Sequence, residues 1–158
     1  MSETKRFRLV YVADAMLGLL ILCGAAIYVS LPWTYDRFIE QNFEEFAAAD
    51  RNLSLGLLYA SGLPAIALLV LALIVLINVT RNKPFVMENA RLLRWMGVLA
   101  AVIGVEFLCT TFFASHSAFR LLTIAVFAVF ILLAVLVWVF ADLFRTAVEY
   151  KEENELTI

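Results

Sequence analysis

The chain has 158 residues and a formal net charge of −2, 64% of its residues are hydrophobic, and its mean hydropathy is +0.92. A soluble domain of this length cannot bury so much apolar surface. These values exclude an ordinary water-soluble domain and predict an integral membrane protein.

Four long apolar segments predict four transmembrane helices, at residues 9–31, 53–79, 95–113 and 121–141. Each approaches or exceeds the roughly 20 residues that a helix needs to cross a bilayer, and none alternates as a barrel strand would. We therefore predict an all-α fold in which residues 1–158 form one membrane-embedded four-helix bundle.

The first predicted span carries a single charge, Asp14, which lies near one membrane interface. A salt bridge with Arg8 or contact with water would explain it. The second span contains Pro64, which should kink the helix because proline cannot donate the backbone hydrogen bond.

The segment between the first two spans, residues 32–52, predicts an amphipathic helix on the outer membrane surface. Ile39, Phe43 and Phe46 are spaced as one face of a helix, with acidic residues largely off that face. Such a helix is either a cap over the helix ends or a sensing surface.

The third span combines small residues with one acid. Gly97 with Ala101, and Ala100 with Gly104, are pairs four apart that let helices approach closely. We expect these pairs to pack inside the bundle, with a homodimer face as the alternative. The acid, Glu106, lies near mid-bilayer, where an ionised carboxylate is costly.

No basic residue lies at the depth of Glu106, so we expect Glu106 to be protonated or to bind a hydroxyl such as that of Ser61 or Thr123. Proton sensing, ion binding and a small-ligand site are the functional interpretations. A neutral carboxyl that hydrogen-bonds between helices is the structural one.

The basic residues fix the predicted orientation. Nine of the 12 fall on the side of the termini and of the middle loop 80–94, and three fall on the other side. The nine are Lys5, Arg6, Arg8, Arg81, Lys83, Arg91, Arg94, Arg145 and Lys151; the three are Arg37, Arg51 and Arg120. By the positive-inside rule, both termini and the middle loop are cytoplasmic.

The middle loop 80–94 is basic and the tail 142–158 is acidic, so the two segments can attract each other or a charged partner. Asn82 is predicted to start a helix with Pro84 in its first turn. No nucleophile–base pair, metal-ligand spacing or cofactor motif appears, so we predict a protein that is not an enzyme and holds neither metal nor cofactor.

Loop and tail together carry a resemblance. The loop contains Lys83-Pro84-Phe85-Val86 with Glu88-Asn89 and Arg91-Leu92-Leu93-Arg94, and the tail contains Glu152-Glu153 and Glu155-Leu156-Thr157-Ile158. In these motifs the chain resembles the YoaS-like proteins, a bacterial family of small four-span membrane proteins with a domain of unknown function. Members are often encoded beside helix-turn-helix regulators of the Xre type.

The resemblance implies a multi-pass protein of the bacterial cytoplasmic membrane that binds and sequesters such a regulator without itself binding nucleic acid. We expect the contacts to come from Pro84, Phe85, Glu88, Asn89, Arg91 and Arg94 in the loop and from Glu152, Glu153, Glu155, Leu156 and Ile158 in the tail. The alternative function is small-solute or proton-coupled transport or sensing, centred on Glu106 with Asp14 as a second polar residue within the spans.

Overall fold

The computed structural model describes residues 3–39, 44–81, 84–115 and 117–155, with side chains for 11–37, 51–81, 84–115 and 117–154. A short π-helical turn, Tyr35–Ile39, follows the first helix. The four α-helices are α1 (Glu3–Thr34), α2 (Glu44–Thr80), α3 (Met87–Phe113) and α4 (Ser117–Glu155).

All four helices are long and apolar enough to cross a membrane, and they contain the four predicted apolar segments. Each helix extends beyond its predicted span because helical backbone continues into the polar flanks. The extension is greatest in α4, whose 39 residues give a length of about 58 Å at about 1.5 Å per residue. About 20 Å of that helix lies beyond Ala141, where the predicted span ends.

The helices pack in chain order. The main interfaces join α1 to α2, α2 to α3, and α3 to α4, and the last of these is the most extensive. Within the described residues, α1 and α4 form no comparable interface with each other. The predicted bundle is therefore an open one, with α1 and α4 at its edges.

Side-chain contacts show that neighbouring helices are antiparallel. Thr80, at the end of α2, donates a hydrogen bond to Asp14 near the start of α1 (3.2 Å). At the other end of the same pair, the Tyr28 hydroxyl donates to the carbonyl oxygen of Tyr59 (3.2 Å). Arg94, near the start of α3, pairs with Asp142 late in α4. The start of α1, the α2–α3 loop and the end of α4 thus share one end of the molecule, here called the loop-and-tail end.

Small residues allow α3 and α4 to approach closely. Gly97 and Gly104 are both buried. A Cβ on Gly97 would overlap the indole of Trp138, and one on Gly104 would lie 3.2 Å from Cδ1 of Ile131. The structure thus confirms the prediction that these glycines pack inside the bundle. The indole N–H of Trp138 completes the contact by donating to the carbonyl of Arg94 (3.2 Å).

Two local predictions differ from the structure. For the described residues between the first two spans, no separate surface helix forms, because Tyr35–Ile39 is a π-helical turn and Glu44 already begins α2. The side chains of Ile39, Phe43 and Phe46, on which the amphipathic prediction depends, lie outside the described side chains.

The start of α3 also differs from the prediction. The helix begins at Met87, and its N-cap Val86 has extended backbone (φ −129°, ψ 144°). Pro84 therefore precedes the helix instead of occupying its first turn, and Asn82 lies outside the described residues.

Large apolar side chains remain exposed along every helix. Among the most exposed are Leu22 (70%), Val29 (80%), Phe112 (77%) and Leu121 (70%). In water this surface would be unfavourable by about 25 cal/mol per Å². The distribution is typical of helices whose outer faces contact lipid, since lipid removes that penalty.

Candidate functional site

A buried asparagine connects α2, the middle loop and α3. The side chain of Asn89 is fully buried. Its Oδ1 accepts a hydrogen bond from Nδ2 of Asn78 (2.8 Å), and its own Nδ2 donates to the carbonyl of Pro84 (2.9 Å). Its backbone N–H donates to the carbonyl of Val86 (3.0 Å). These contacts, here called the Asn89 clasp, fix the loop against the start of α3.

The loop and the first turns of α3 both contact α4. The rings of Phe85 and Phe144 lie 6.0 Å apart between centroids, and Arg94 binds Asp142 at 3.1 Å. That ion pair is largely exposed and contributes at most about 1 kcal/mol. The aromatic contact and the ion pair nevertheless bring the basic loop and the acidic tail together, as their charges predict.

The tail continues α4 as regular helix to Glu155. Arg145 and Glu149 form an ion pair one turn apart on its surface (2.8 Å), and Val148 is almost fully buried. Glu152 and Glu153 are exposed in the next turn. The acidic residues are therefore carried on an ordered helix that extends past the apolar part of the molecule.

The residues predicted to contact a partner differ in accessibility. Phe85, Glu88, Arg91 and Arg94 are exposed and Pro84 is half-buried, whereas Asn89 belongs to the clasp and is not accessible. In the tail, Glu152 and Glu153 are exposed, the side chain of Glu155 is outside the described ones, and Leu156 and Ile158 are outside the described residues. Asn89 is therefore better explained as a structural residue than as a contact residue.

Glu106 has neither of the hydroxyl partners expected for it. Its Oε2 is buried without a hydrogen-bond partner among the described residues. The Ser61 hydroxyl donates instead to the carbonyl of Leu57 (2.7 Å), and Thr123 pairs with Thr111 across the α3–α4 interface (2.8 Å). Both hydroxyls thus have other partners than Glu106. The side chain of Glu106 is half-buried in α3.

Asp14, at the loop-and-tail end, resembles Glu106 in having a buried carboxylate oxygen without a hydrogen-bond partner among the described residues. One carboxylate oxygen accepts from Thr80, and the other is buried without a partner within the described residues. The predicted pair with Arg8 concerns a side chain outside the described ones. Asp14 therefore connects α1 to α2, a contact that the sequence did not reveal.

The hydrogen bond between Asn78 and Asn89 is a further contact that the sequence pattern did not predict. The signal was present: Asn78 and Asn89 are two amides close to the ends of successive predicted helices, and complementary amides can satisfy each other when buried.

Among the described residues, no group of three or more His, Cys, Asp or Glu could hold a metal ion.

The fold is all-helical and contains four candidate membrane-spanning helices. These features indicate a multi-pass membrane protein. The chain belongs to a family described as protein of unknown function (DUF2975), whose model matches residues 28–158. No curated protein matches the chain, and no solved structure does either.

Proposed function

We propose that the protein is a non-enzymatic regulator in the bacterial cytoplasmic membrane that binds and sequesters a cytoplasmic helix-turn-helix transcription regulator. In this proposal the protein is YoaS-like, the loop-and-tail end faces the cytoplasm, and the partner is of the Xre type. The distribution of basic residues supports the orientation. The resemblance of the loop and tail motifs supports the partner class.

The observation that carries the proposal is the adjacency of loop and tail. Phe85 contacts Phe144, and Arg94 binds Asp142. One partner can therefore contact residues of both segments at once, although residues 95–141 separate the loop from the tail in the sequence. The Asn89 clasp holds the loop in place, which lowers the entropy lost when a partner binds.

The charges of this surface suit a DNA-binding partner. Such domains are basic where they contact phosphates, and Glu152 and Glu153 form an acidic, exposed turn of α4. An acidic helix that covers a DNA-reading surface would compete with DNA. Binding to the membrane protein and binding to an operator would then exclude each other.

Removal of residues 151–158 tests the tail. The full chain and the truncated chain are each solubilised in mild detergent with the tag at the N-terminus, and captured proteins are identified by mass spectrometry. We expect the full chain to retain a helix-turn-helix protein and the truncated chain to lose it. The substitution Arg37→Gln, at the opposite end, is the matched control and should change nothing.

A milder variant guards against misfolding of the truncated chain. The double substitution Glu152→Gln and Glu153→Gln keeps the helix and removes two charges. Retention of the helix-turn-helix protein by both tail variants at the level of the full chain would refute the role of the tail.

Glu106 favours the second candidate function, proton-coupled or small-solute transport or sensing. The specific observation is the buried, unpartnered Oε2 of Glu106 within the described part of the bundle. Glu106→Gln should abolish proton-coupled transport in proteoliposomes and leave partner capture intact if the two activities are separate. If Glu106→Gln loses partner capture and the unchanged protein shows no transport, the result would instead indicate signalling through the bundle.

A further inference from the structure

A basic cleft of about 190 Å³ opens between α3 and α4 at the loop-and-tail end. Its lining comes from the first two turns of α3 and from the end of the apolar segment of α4 and the turn that follows it. The lining residues are Met87, Ala90, Arg91, Arg94, Ala141 and Arg145.

The sequence produces this cleft through residue size and helical spacing. Ala90 and Ala141 are buried, and their short side chains leave room between the two helix axes. Residues 87, 91 and 94 recur on one face of α3, and residues 141 and 145 on one face of α4. The three arginines therefore surround an alanine floor.

The cleft has an excess of positive charge. Arg94 is paired with Asp142, and Arg145 with Glu149. Arg91 is exposed and has no ion-pair partner among the described residues. Three guanidinium groups thus face two carboxylates, and the difference of one positive charge favours a monoanion.

The surroundings of the cleft indicate which anion it takes. Ala141 is the last residue of the apolar segment and Asp142 is the first charge after it. Trp95 and Trp138 expose 58% and 41% of their surface near this level, as side chains at a membrane interface do. Leu143, at 59% exposure, adds apolar surface beside the charges.

We propose that this cleft binds the phosphate of an anionic phospholipid, with the acyl chains along the exposed apolar surface of α3 and α4. A phosphodiester is a monoanion, and the planar guanidinium group of arginine can donate two parallel hydrogen bonds to it. Arg91 supplies the uncompensated charge. Lipid binding in this cleft does not require a partner protein and can be measured on the purified chain alone.

Lipid binding to the full chain tests the assignment. The protein is stripped of lipid in mild detergent and titrated with phosphatidylglycerol or phosphatidylcholine, and bound lipid is counted by native mass spectrometry. We expect phosphatidylglycerol to bind more tightly. Arg91→Gln should weaken that binding about fivefold, the change that about 1 kcal/mol per basic residue gives. Arg91→Lys keeps the charge and should retain most of the affinity.

Arg81→Gln is the matched control, since Arg81 is an exposed arginine near the end of α2 that does not line the cleft. Equal losses in the two Gln variants would show a general charge effect and overturn the site, as would unchanged binding by Arg91→Gln. Thermal unfolding in the same detergent verifies that each variant is folded. Displacement of the lipid by millimolar inorganic phosphate would overturn the lipid assignment in favour of a soluble phosphate.

Discussion

The substitution Asn89→Ala gives the sharpest test of how the loop-and-tail end is held together. The side chain of Asn89 is fully buried, donates to the carbonyl of Pro84 and accepts from Asn78. Alanine removes these two hydrogen bonds, so the carbonyl of Pro84 and the amide of Asn78 each lose one. Each buried polar group left unpaired costs about 1–3 kcal/mol.

Two such groups would together cost about 2–6 kcal/mol. We expect the free energy of unfolding to fall by about 2–4 kcal/mol, the lower part of that range, because Asn78 is only half-buried and water can reach part of its amide. In a chain of this size, 1 kcal/mol shifts the midpoint of thermal unfolding by about 2–4 °C. Thermal unfolding in mild detergent, followed by circular dichroism, measures the effect.

Asn52→Ala is the control, because Asn52 is exposed and its loss should cost no more than about 0.5 kcal/mol. A double-mutant cycle with Asn78→Ala isolates the amide pair. The double variant should lose less stability than the two single variants together. Equal stability of Asn89→Ala and the unchanged protein would refute the clasp.

The remaining predictions concern the α3–α4 interface and use the same unfolding assay. Gly97→Ala should lose about 1–3 kcal/mol by overpacking, since its Cβ would overlap the indole of Trp138; Gly18→Ala, with open space around it, should be neutral or slightly stabilising. The opposite order for the two glycines would contradict this packing. Thr123→Val removes the hydroxyl bonded to Thr111 and should cost only about 0.6 kcal/mol, because the Thr111 hydroxyl also bonds within its own helix. A loss larger than that of Asn89→Ala would contradict this ranking.

The number and position of the helices could be predicted from the sequence because lipid imposes a simple requirement. A spanning helix needs about 20 apolar residues, and such runs are visible by inspection. The predicted segment 121–141 lies wholly within α4. Helix ends were harder to locate, since polar residues such as Glu44 and Glu155 continue a helix without leaving a hydropathy signal.

The contacts of the candidate site could be predicted only in part. The opposite charges of the middle loop and the tail left two alternatives, attraction to each other or to a charged partner, and the pair of Arg94 with Asp142 agrees with the first. The burial of Asn89 was missed because an isolated polar residue near a helix start usually faces water. Arg145 and Arg91 line one cleft only because of how α3 and α4 are rotated about their axes. That rotation cannot be predicted from the hydropathy pattern of a single sequence.

The hydroxyl partners predicted for Glu106 were wrong for a related physical reason. Serine and threonine within helices often donate to a carbonyl of the preceding turn, as Ser61 does to Leu57. A hydroxyl at a similar depth is therefore often already used by its own helix. Depth alone predicts which groups are level with each other, not which ones bind.

The orientation of the loop-and-tail end in the membrane is the premise on which the regulator proposal depends most directly. In a background where Cys23 and Cys109 are replaced by alanine, Ser117→Cys and Tyr150→Cys place single thiols at opposite ends of α4, both at exposed positions. Spheroplasts are treated with a membrane-impermeant maleimide. We predict labelling of Ser117→Cys in intact spheroplasts and of Tyr150→Cys only after permeabilisation. The reverse pattern would contradict a cytoplasmic loop and tail.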